Sequence, residues 1–382
     1  MAGVERVFAN LTPDRLTLAG KVRSTISKGL IFVWPGTFAP SPATLAQRLM
    51  TDYAVPAMSV AVAKGGKIVF AEGFGHLDPQ KREKTTSASL FRIASNSKAI
   101  TSAAIHLLAE RRILSLTDRV FGPGAIFGTS YGSKPYSNWL TQIEIRHLLE
   151  HSAGGWANDG DDPMFKSPQL GHAALIGTIL DADLLKRPPG VEFMYSNFGY
   201  CLLGRVIERK TGQGYEDFVR RSLLASAGAV GMRIAQDKLS GRAPGEVVYV
   251  SSGGSPYDQP VHRMDSHGGW IGSAADYVRF LLAIDGSPAP ADLISAGSVN
   301  SMRTRSSAAG AGDYGKGVGT NQTDVWHNGA LNGTRSVMWG DKGGNAWCVH
   351  CTGGAPPGGK AKKADPLLKA LDKMMWKLWD LV

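Results

Sequence analysis

Phe91-Arg92-Ile93-Ala94-Ser95-Asn96-Ser97-Lys98-Ala99-Ile100 is the stretch around which the rest of the chain is arranged. Ser95 and Lys98 form a Ser-x-x-Lys pair, and no other serine has a lysine three residues on. Ile100, Ala103, Ala104, Leu107 and Leu108 follow at helical spacing, which predicts a buried helix starting at about Ser95. Positions three apart share a helix face, so the Lys98 amine can reach the Ser95 hydroxyl. Burial disfavours a charged amine, and a hydroxyl becomes a nucleophile when an adjacent base takes its proton. The helix N-terminus adds unpaired N–H groups beside it. Spacing alone favours a plainer reading, a capping serine and a solvated lysine, because such tetrapeptides arise by chance.

Outward from this stretch, the pattern predicts one sheet drawn from distant parts of the chain. Residues 57–64 alternate, Gly65-Gly66 turns the chain, and residues 67–75 run back, the signature of a β-hairpin. Strand patterns return at 315–319, 325–327, 336–340 and 346–350, with residues 341–345 as a hairpin turn. Between them, helices are expected at 143–151, at 197–211 with Gly212 as the stop, and after a turn within 268–284. A helix is expected to lead in at 40–54, and residues 367–382 read as an amphipathic helix packing on the sheet. The pattern therefore places a mostly helical domain between the strands of that one sheet. The expected limits are 1–40 for an N-terminal extension with one or two short helices, 41–114 with 266–382 for the sheet domain, and 115–265 for the helical domain.

Apolar residues make up 43% and charged residues 19% of the 382, which fits a globular chain with a sizeable core. The net charge of +10 is not gathered into basic blocks with interleaved aromatics, so nucleic acid is not an expected partner. Three cysteines give no disulfide framework, and Cys348 and Cys351 read as strand residues. No signal-like N-terminus or membrane-length apolar run stands out, so a cytoplasmic location is the expectation, or a periplasmic or secreted one if a signal has been removed.

Two further motifs give the serine partners. Tyr195-Ser196-Asn197 supplies a phenol able to relay a proton and an amide able to hold the lysine and the acyl substituent. Trp326-His327-Asn328-Gly329-Ala330 lies between two strand patterns, where a strand beside the serine would place His327 over the substrate. There the N–H groups of Ala330 and Ser95 could form an oxyanion hole. Tyr136-Ser137-Asn138 copies the second motif in a polar loop and is read as coincidence. His267-Gly268-Gly269 rivals the third but leads toward a helix, and ranks below His327.

With the three motifs in order, the chain resembles the serine β-lactamase and penicillin-recognising hydrolase superfamily. The branch is that of class C β-lactamases, D-peptidases and family VIII carboxylesterases. Connecting text at 145–155 and 268–276 adds to the likeness, which covers roughly residues 45–350. The resemblance implies an α+β fold, an antiparallel β-sheet flanked by helices with an inserted mostly helical domain and the active site between them. It implies Ser95 as acylated nucleophile, Lys98 as its base and Tyr195 sharing the proton work. Asn197, His327, Gly329 and Ala330 would line the substrate and oxyanion side. Class C enzymes usually carry lysine where His327 stands. A histidine titrating near neutrality makes a weaker, pH-dependent anchor for a carboxylate.

The expected activity is acyl-enzyme hydrolysis of a small carboxylic ester, with no metal or organic cofactor. A D-amino-acid amide or peptide, a β-lactam, or transfer to another acceptor on the same scaffold are the alternatives. Trp156, Trp270 and Trp326 fall near the motifs and are candidates for a pocket, with packing at least as good an account of each. His147-Leu148-Leu149-Glu150-His151 fits an inverted zinc-peptidase pattern without a third ligand. The bland account is that both histidines brace a helix end. A non-catalytic scaffold is the remaining class.

Overall fold

The computed structural model describes residues 40–80, 82–158, 162–354 and 365–382. The expected helices within residues 1–39 lie outside them. The chain enters through α1 (Pro42–Asp52) and makes the hairpin β1 (Ala57–Lys64) and β2 (Lys67–Asp78). The short strands β3 (Glu83–Lys84) and β4 (Phe91–Arg92) follow, then α2 (Ser97–Glu110). A largely helical stretch holds α3 (Ile145–Leu149), α4 (His172–Asp181), α5 (Asn197–Thr211), α6 (Tyr215–Val219) and the short β5 (Arg233–Ile234). The chain returns through β6 (Trp270–Gly272), α7 (Ala274–Leu282) and α8 (Ala296–Arg303). It then forms β7 (Gly319–Thr320), β8 (Val325–Leu331), β9 (Thr334–Gly340), β10 (Ala346–Thr352) and α9 (Pro366–Trp379).

The main sheet has the order β3-β2-β1-β10-β9-β8-β7, and every neighbouring pair is antiparallel. Its first long strand therefore pairs with its last, Ala57 opposite Thr352 through Ala63 opposite Ala346. This is the α+β architecture expected, with the sheet assembled from both ends of the chain. Both faces of β1 are covered, and side-chain size sorts them. Met58, Val60 and Val62 face α1 and α9 together with Trp347, whereas the smaller Ala61 and Ala63 join the core that contains α2 and α7. Alternation along the strand is what separates the two layers.

Helix α9 closes the outer layer with Leu367, Leu368, Leu371, Met374, Met375 and Leu378 buried. Trp376 packs edge-on against Trp339 and Trp347. Leu371 is fully buried, so Leu371→Ala is expected to cost about 2–5 kcal/mol. Urea denaturation measures it.

Helix α2 is buried on every side from Ser97 to Leu108, which makes it the central strut between the sheet and the helical stretch. Helix α5 spans the residues expected. The Ser196 hydroxyl caps its start, and Gly212, in the left-handed region at φ +68°, ends it. Two readings need correction. The strand expected at 315–319 reduces to Gly319–Thr320, because the segment packs against α2 instead of extending the ladder. A Cβ on Gly317 (φ +84°) would stand 2.9 Å from the Lys98 carbonyl oxygen and 3.0 Å from the Tyr200 hydroxyl. Residues 268–273 do not run straight into a helix: Trp270–Gly272 first forms β6 between β4 and β5.

Candidate active site

Ser95 lies on a one-turn helix, Ala94–Asn96, that leads directly into α2. Ala94 before it sits at φ +49°, an uncommon conformation for a residue with a Cβ. The turn is tied down from behind. Asn96 Nδ2 donates to Ser336 Oγ (2.6 Å), Ser336 Oγ pairs with His350 Nδ1 (2.7 Å), and the Tyr277 hydroxyl donates to the Asn96 carbonyl (2.8 Å). Strand β8 passes directly over the turn. A Cβ on Gly329 would come within 2.3 Å of the Ile93 oxygen and 3.1 Å of the Ser95 nitrogen, so glycine is what permits this approach.

One turn after Ser95, at the start of α2, the fully buried Lys98 points its Nζ at three acceptors. Ser95 Oγ lies at 3.2 Å, Asn197 Oδ1 at 2.7 Å and the His267 carbonyl oxygen at 2.9 Å. Burial brings its pKa from the ordinary lysine value down to about 7, with the Asp162 carboxylate opposing the fall. A neutral amine has two N–H groups and one lone pair. Asn197 and His267 can take the two N–H groups, which leaves the lone pair for the Ser95 hydroxyl. The rings of Tyr195 and Tyr200 lie 4.8 and 5.7 Å from the Lys98 nitrogen.

Tyr195 and Asn197 arrive together at the start of α5. The Tyr195 side chain is buried, with its hydroxyl beside that of Ser95. Burial raises its pKa, while the nearby Ser95 hydroxyl pulls in the opposite direction. The group therefore stays a phenol at neutral pH. Asn197 is held at its backbone by Asn158 Oδ1 (3.0 Å) and at its Nδ2 by Asp162 Oδ2 (2.6 Å).

His327 sits behind Tyr195, ring centres 6.4 Å apart, and is almost fully buried. Its Nδ1–H donates to the Asn328 carbonyl (2.6 Å) and its Nε2 faces the Tyr314 hydroxyl at 3.3 Å. Tyr314 also meets His151 Nε2 (3.1 Å), and His151 Nδ1 accepts the Ser196 N–H (3.0 Å). An obligate donor at one end and an obligate acceptor at the other set both tautomers. Burial lowers the His327 pKa to about 3. His327 is thus a neutral, internally bonded imidazole, which corrects the expectation of an anchor that titrates near neutrality.

The three tryptophans serve packing. Trp270 is fully buried, with its indole N–H on the Tyr215 hydroxyl (3.0 Å). Trp156 packs edge-on against Phe198 in the core. Trp326 lies over the backbone of Gly319. The copied motif is elsewhere, the Tyr136 hydroxyl donating to the Tyr131 carbonyl. The two histidines of the zinc pattern turn to different partners. His147 Nδ1 accepts the Glu144 N–H, whereas His151 adopts φ +58° beyond the end of α3 and packs on Tyr195. Glu150 pairs with Lys316 at 2.8 Å. Among the described residues no three His, Cys, Asp or Glu side chains gather as a metal site.

Asp162, His151, Tyr314 and the His267 peptide oxygen were not foreseen in these places. Asp162 had a local signal, since Asp before Pro163 is a helix-start pattern. The other three contacts are long-range and leave no spacing to read.

Comparison with known proteins gives the family and the fold. Penicillin-binding protein 4* of Bacillus subtilis is 31% identical over 194 residues, 48% of this chain and 39% of that protein. Protein flp of Staphylococcus aureus is 32% identical over 174 residues, 44% of this chain and 33% of that protein. The matched region thus spans between 33% and 39% of the length of these curated relatives. Among solved structures, a D-amino acid amidase from Ochrobactrum anthropi SV3 complexed with L-phenylalanine amide superposes with a TM-score of 0.69. Its identity is 20%, over 89% of this chain and 99% of that one. The octameric penicillin-binding protein homologue from Pyrococcus abyssi gives 0.68 at 20% identity, over 88% and 77%. These two show a shared fold. The pattern of the family described as Beta-lactamase matches residues 43–372, and the chain belongs to that family, within the serine β-lactamase and penicillin-binding protein superfamily.

Proposed function

We propose that the protein is a serine hydrolase that works through an acyl-enzyme and acts on small carboxylic esters. The observation that carries the reading is the buried Lys98 amine, 3.2 Å from Ser95 Oγ, with its other two directions taken by fixed acceptors. The neutral amine accepts the Ser95 proton as Oγ bonds to the carbonyl carbon. The N–H groups of Ser95 and Ala330 hold the oxyanion. As the C–O bond to the leaving alcohol breaks, the Tyr195 phenol gives that oxygen a proton and recovers one from Lys98. Water then attacks the acyl carbon and its proton passes to the same pair, which returns a proton to Ser95 Oγ as the bond from Oγ to the acyl carbon breaks.

The charge of the site supports an ester over a β-lactam. Where class C β-lactamases usually carry lysine, His327 is neutral, and its nitrogens are committed to Asn328 and Tyr314. It therefore offers a substrate carboxylate no cation there. A D-amino-acid amide is the second reading, favoured by the near-complete overlap with an amidase structure. The turned-apart His147 and His151 give a zinc peptidase no support. Among the described residues no helix is long and apolar enough to cross a membrane.

A panel of p-nitrophenyl esters, D-alanyl anilides and a chromogenic cephalosporin, run on wild type and Ser95→Ala, tests the reading. Ester turnover lost in Ser95→Ala is the expected result, and turnover that survives the substitution overturns it. A neutral Lys98 is the active form, so kcat/KM should rise with pH and reach half its plateau near pH 7. A profile flat from pH 5 to 9 would contradict that base.

A further inference from the structure

Among the charged side chains of the described residues that these steps leave unused, Asp162 is linked to the reacting pair through Asn197. Its carboxylate is held on both oxygens. Oδ1 accepts the Met164 N–H (2.9 Å), which makes Asp162 the cap of the one-turn helix Pro163–Phe165. Oδ2 accepts from Asn197 Nδ2 (2.6 Å), and Asn197 Oδ1 accepts from Lys98 Nζ (2.7 Å). An amide whose Nδ2 is committed to a carboxylate must turn its oxygen to the other side, here toward the amine. The loop that carries Asp162 is itself clamped. The Arg263 guanidinium donates to the carbonyls of Met164 (2.8 Å), Lys166 (3.1 Å), Ser167 (2.7 Å) and Leu170 (2.6 Å).

We propose that Asp162 is a positioning residue for the nucleophile: through Asn197 it aims the amine at Ser95 and supplies that amine with its counter-charge. The chain of contacts runs carboxylate, amide, amine, hydroxyl. It deepens the serine-hydrolase reading and rests on it. The other titratable groups facing Lys98 are Tyr195 and Tyr200 from the α5 segment, His151 beyond α3, His267 before β6 and His327 on β8. Burial keeps each of these uncharged at neutral pH. Among the described residues Asp162 is the carboxylate whose charge acts on Lys98. Its removal lets the buried amine shed its proton more readily, so the acidic limb of activity moves to lower pH.

The test compares Asp162→Asn, which keeps an acceptor for Asn197 but loses the charge, with Asp162→Ala, which loses both, and Asp162→Glu, which keeps the charge. The readout is the pH profile of kcat/KM on the best p-nitrophenyl ester, with folding checked by circular dichroism. In Asn and Ala variants the limb should shift down by ~1 pH unit, and in Glu it should return toward wild type. The plateau should fall further in Ala than in Asn, by ~10-fold or more, because the amide is then free to turn. A limb at the wild-type pH in Asp162→Asn overturns the proposal, as does a loss of plateau in all three variants with no movement of the limb. If one variant fails to fold, the comparison of the other two decides. Labelling of Ser95 by a fluorophosphonate, read by mass, separates the two claims. Wild type that is not labelled sinks the serine-hydrolase reading, whereas wild type labelled with an unmoved limb in Asp162→Asn sinks this one alone.

Discussion

Lys98→Met should fold and lose ester turnover by on the order of 10³-fold or more, since it removes the base that makes the hydroxyl a nucleophile. Methionine fills nearly the same volume in a fully buried position, so the loss reports chemistry and not collapse. Two acceptors, Asn197 Oδ1 and the His267 oxygen, lose their donor, at a cost of about 1–3 kcal/mol each. Against this, the variant no longer buries an amine. The folded chain releases the Lys98 proton at about pH 7, whereas an unfolded chain holds it to the ordinary lysine range. Between these limits the unfolded state binds more protons, so Lys98 makes wild-type stability rise with pH there, and its full penalty applies below pH 7. The difference between wild-type and Lys98→Met unfolding free energies should therefore change between pH 7 and pH 9 in favour of wild type. Urea denaturation at the two pH values measures it.

Gly329→Ala is expected to lower kcat by ~10²–10³-fold and stability by about 1–3 kcal/mol. The added methyl would meet the Ile93 oxygen at 2.3 Å and the Ala94 Cβ at 3.0 Å. Both neighbours are backbone or backbone-attached, with no flexible end to swing aside. Strand β8 must then lift from the Ser95 turn and carry the Ala330 N–H with it. The proposed oxyanion site depends on that approach, so rate should suffer more than stability. Steady-state kinetics beside urea denaturation checks this, and a variant within twofold of wild type in kcat would contradict it.

The parts legible in the sequence were those governed by short-range rules. The β1–β2 hairpin followed from Gly65-Gly66, both in the left-handed region at φ +55° and +79°. The C-terminal limit of α5 followed from its terminating glycine, Gly212. The pairing of Ser95 with Lys98 followed from helical spacing. Residues joined only by the fold were opaque. Lys98 finds a peptide oxygen at His267, 169 positions away, and a backbone acceptor carries no residue signature. His151 matched a zinc pattern because i and i+4 share a face in a helix, but the helix ends at Leu149 and the backbone turns left-handed at His151. The periodicity at 315–319 read as strand because close packing of a glycine against α2 and strand pairing leave the same small-residue pattern.

The central claim is that a neutral Lys98 amine activates Ser95. The most direct test is the rate of covalent labelling by a fluorophosphonate across pH 5–9, with the modified residue mapped by peptide mass spectrometry. The account predicts a single adduct on Ser95, forming at a rate that climbs through about pH 7 in wild type and is nearly abolished in folded Lys98→Met. An adduct on another residue, or labelling of Ser95 that proceeds undiminished without the Lys98 amine, would contradict it.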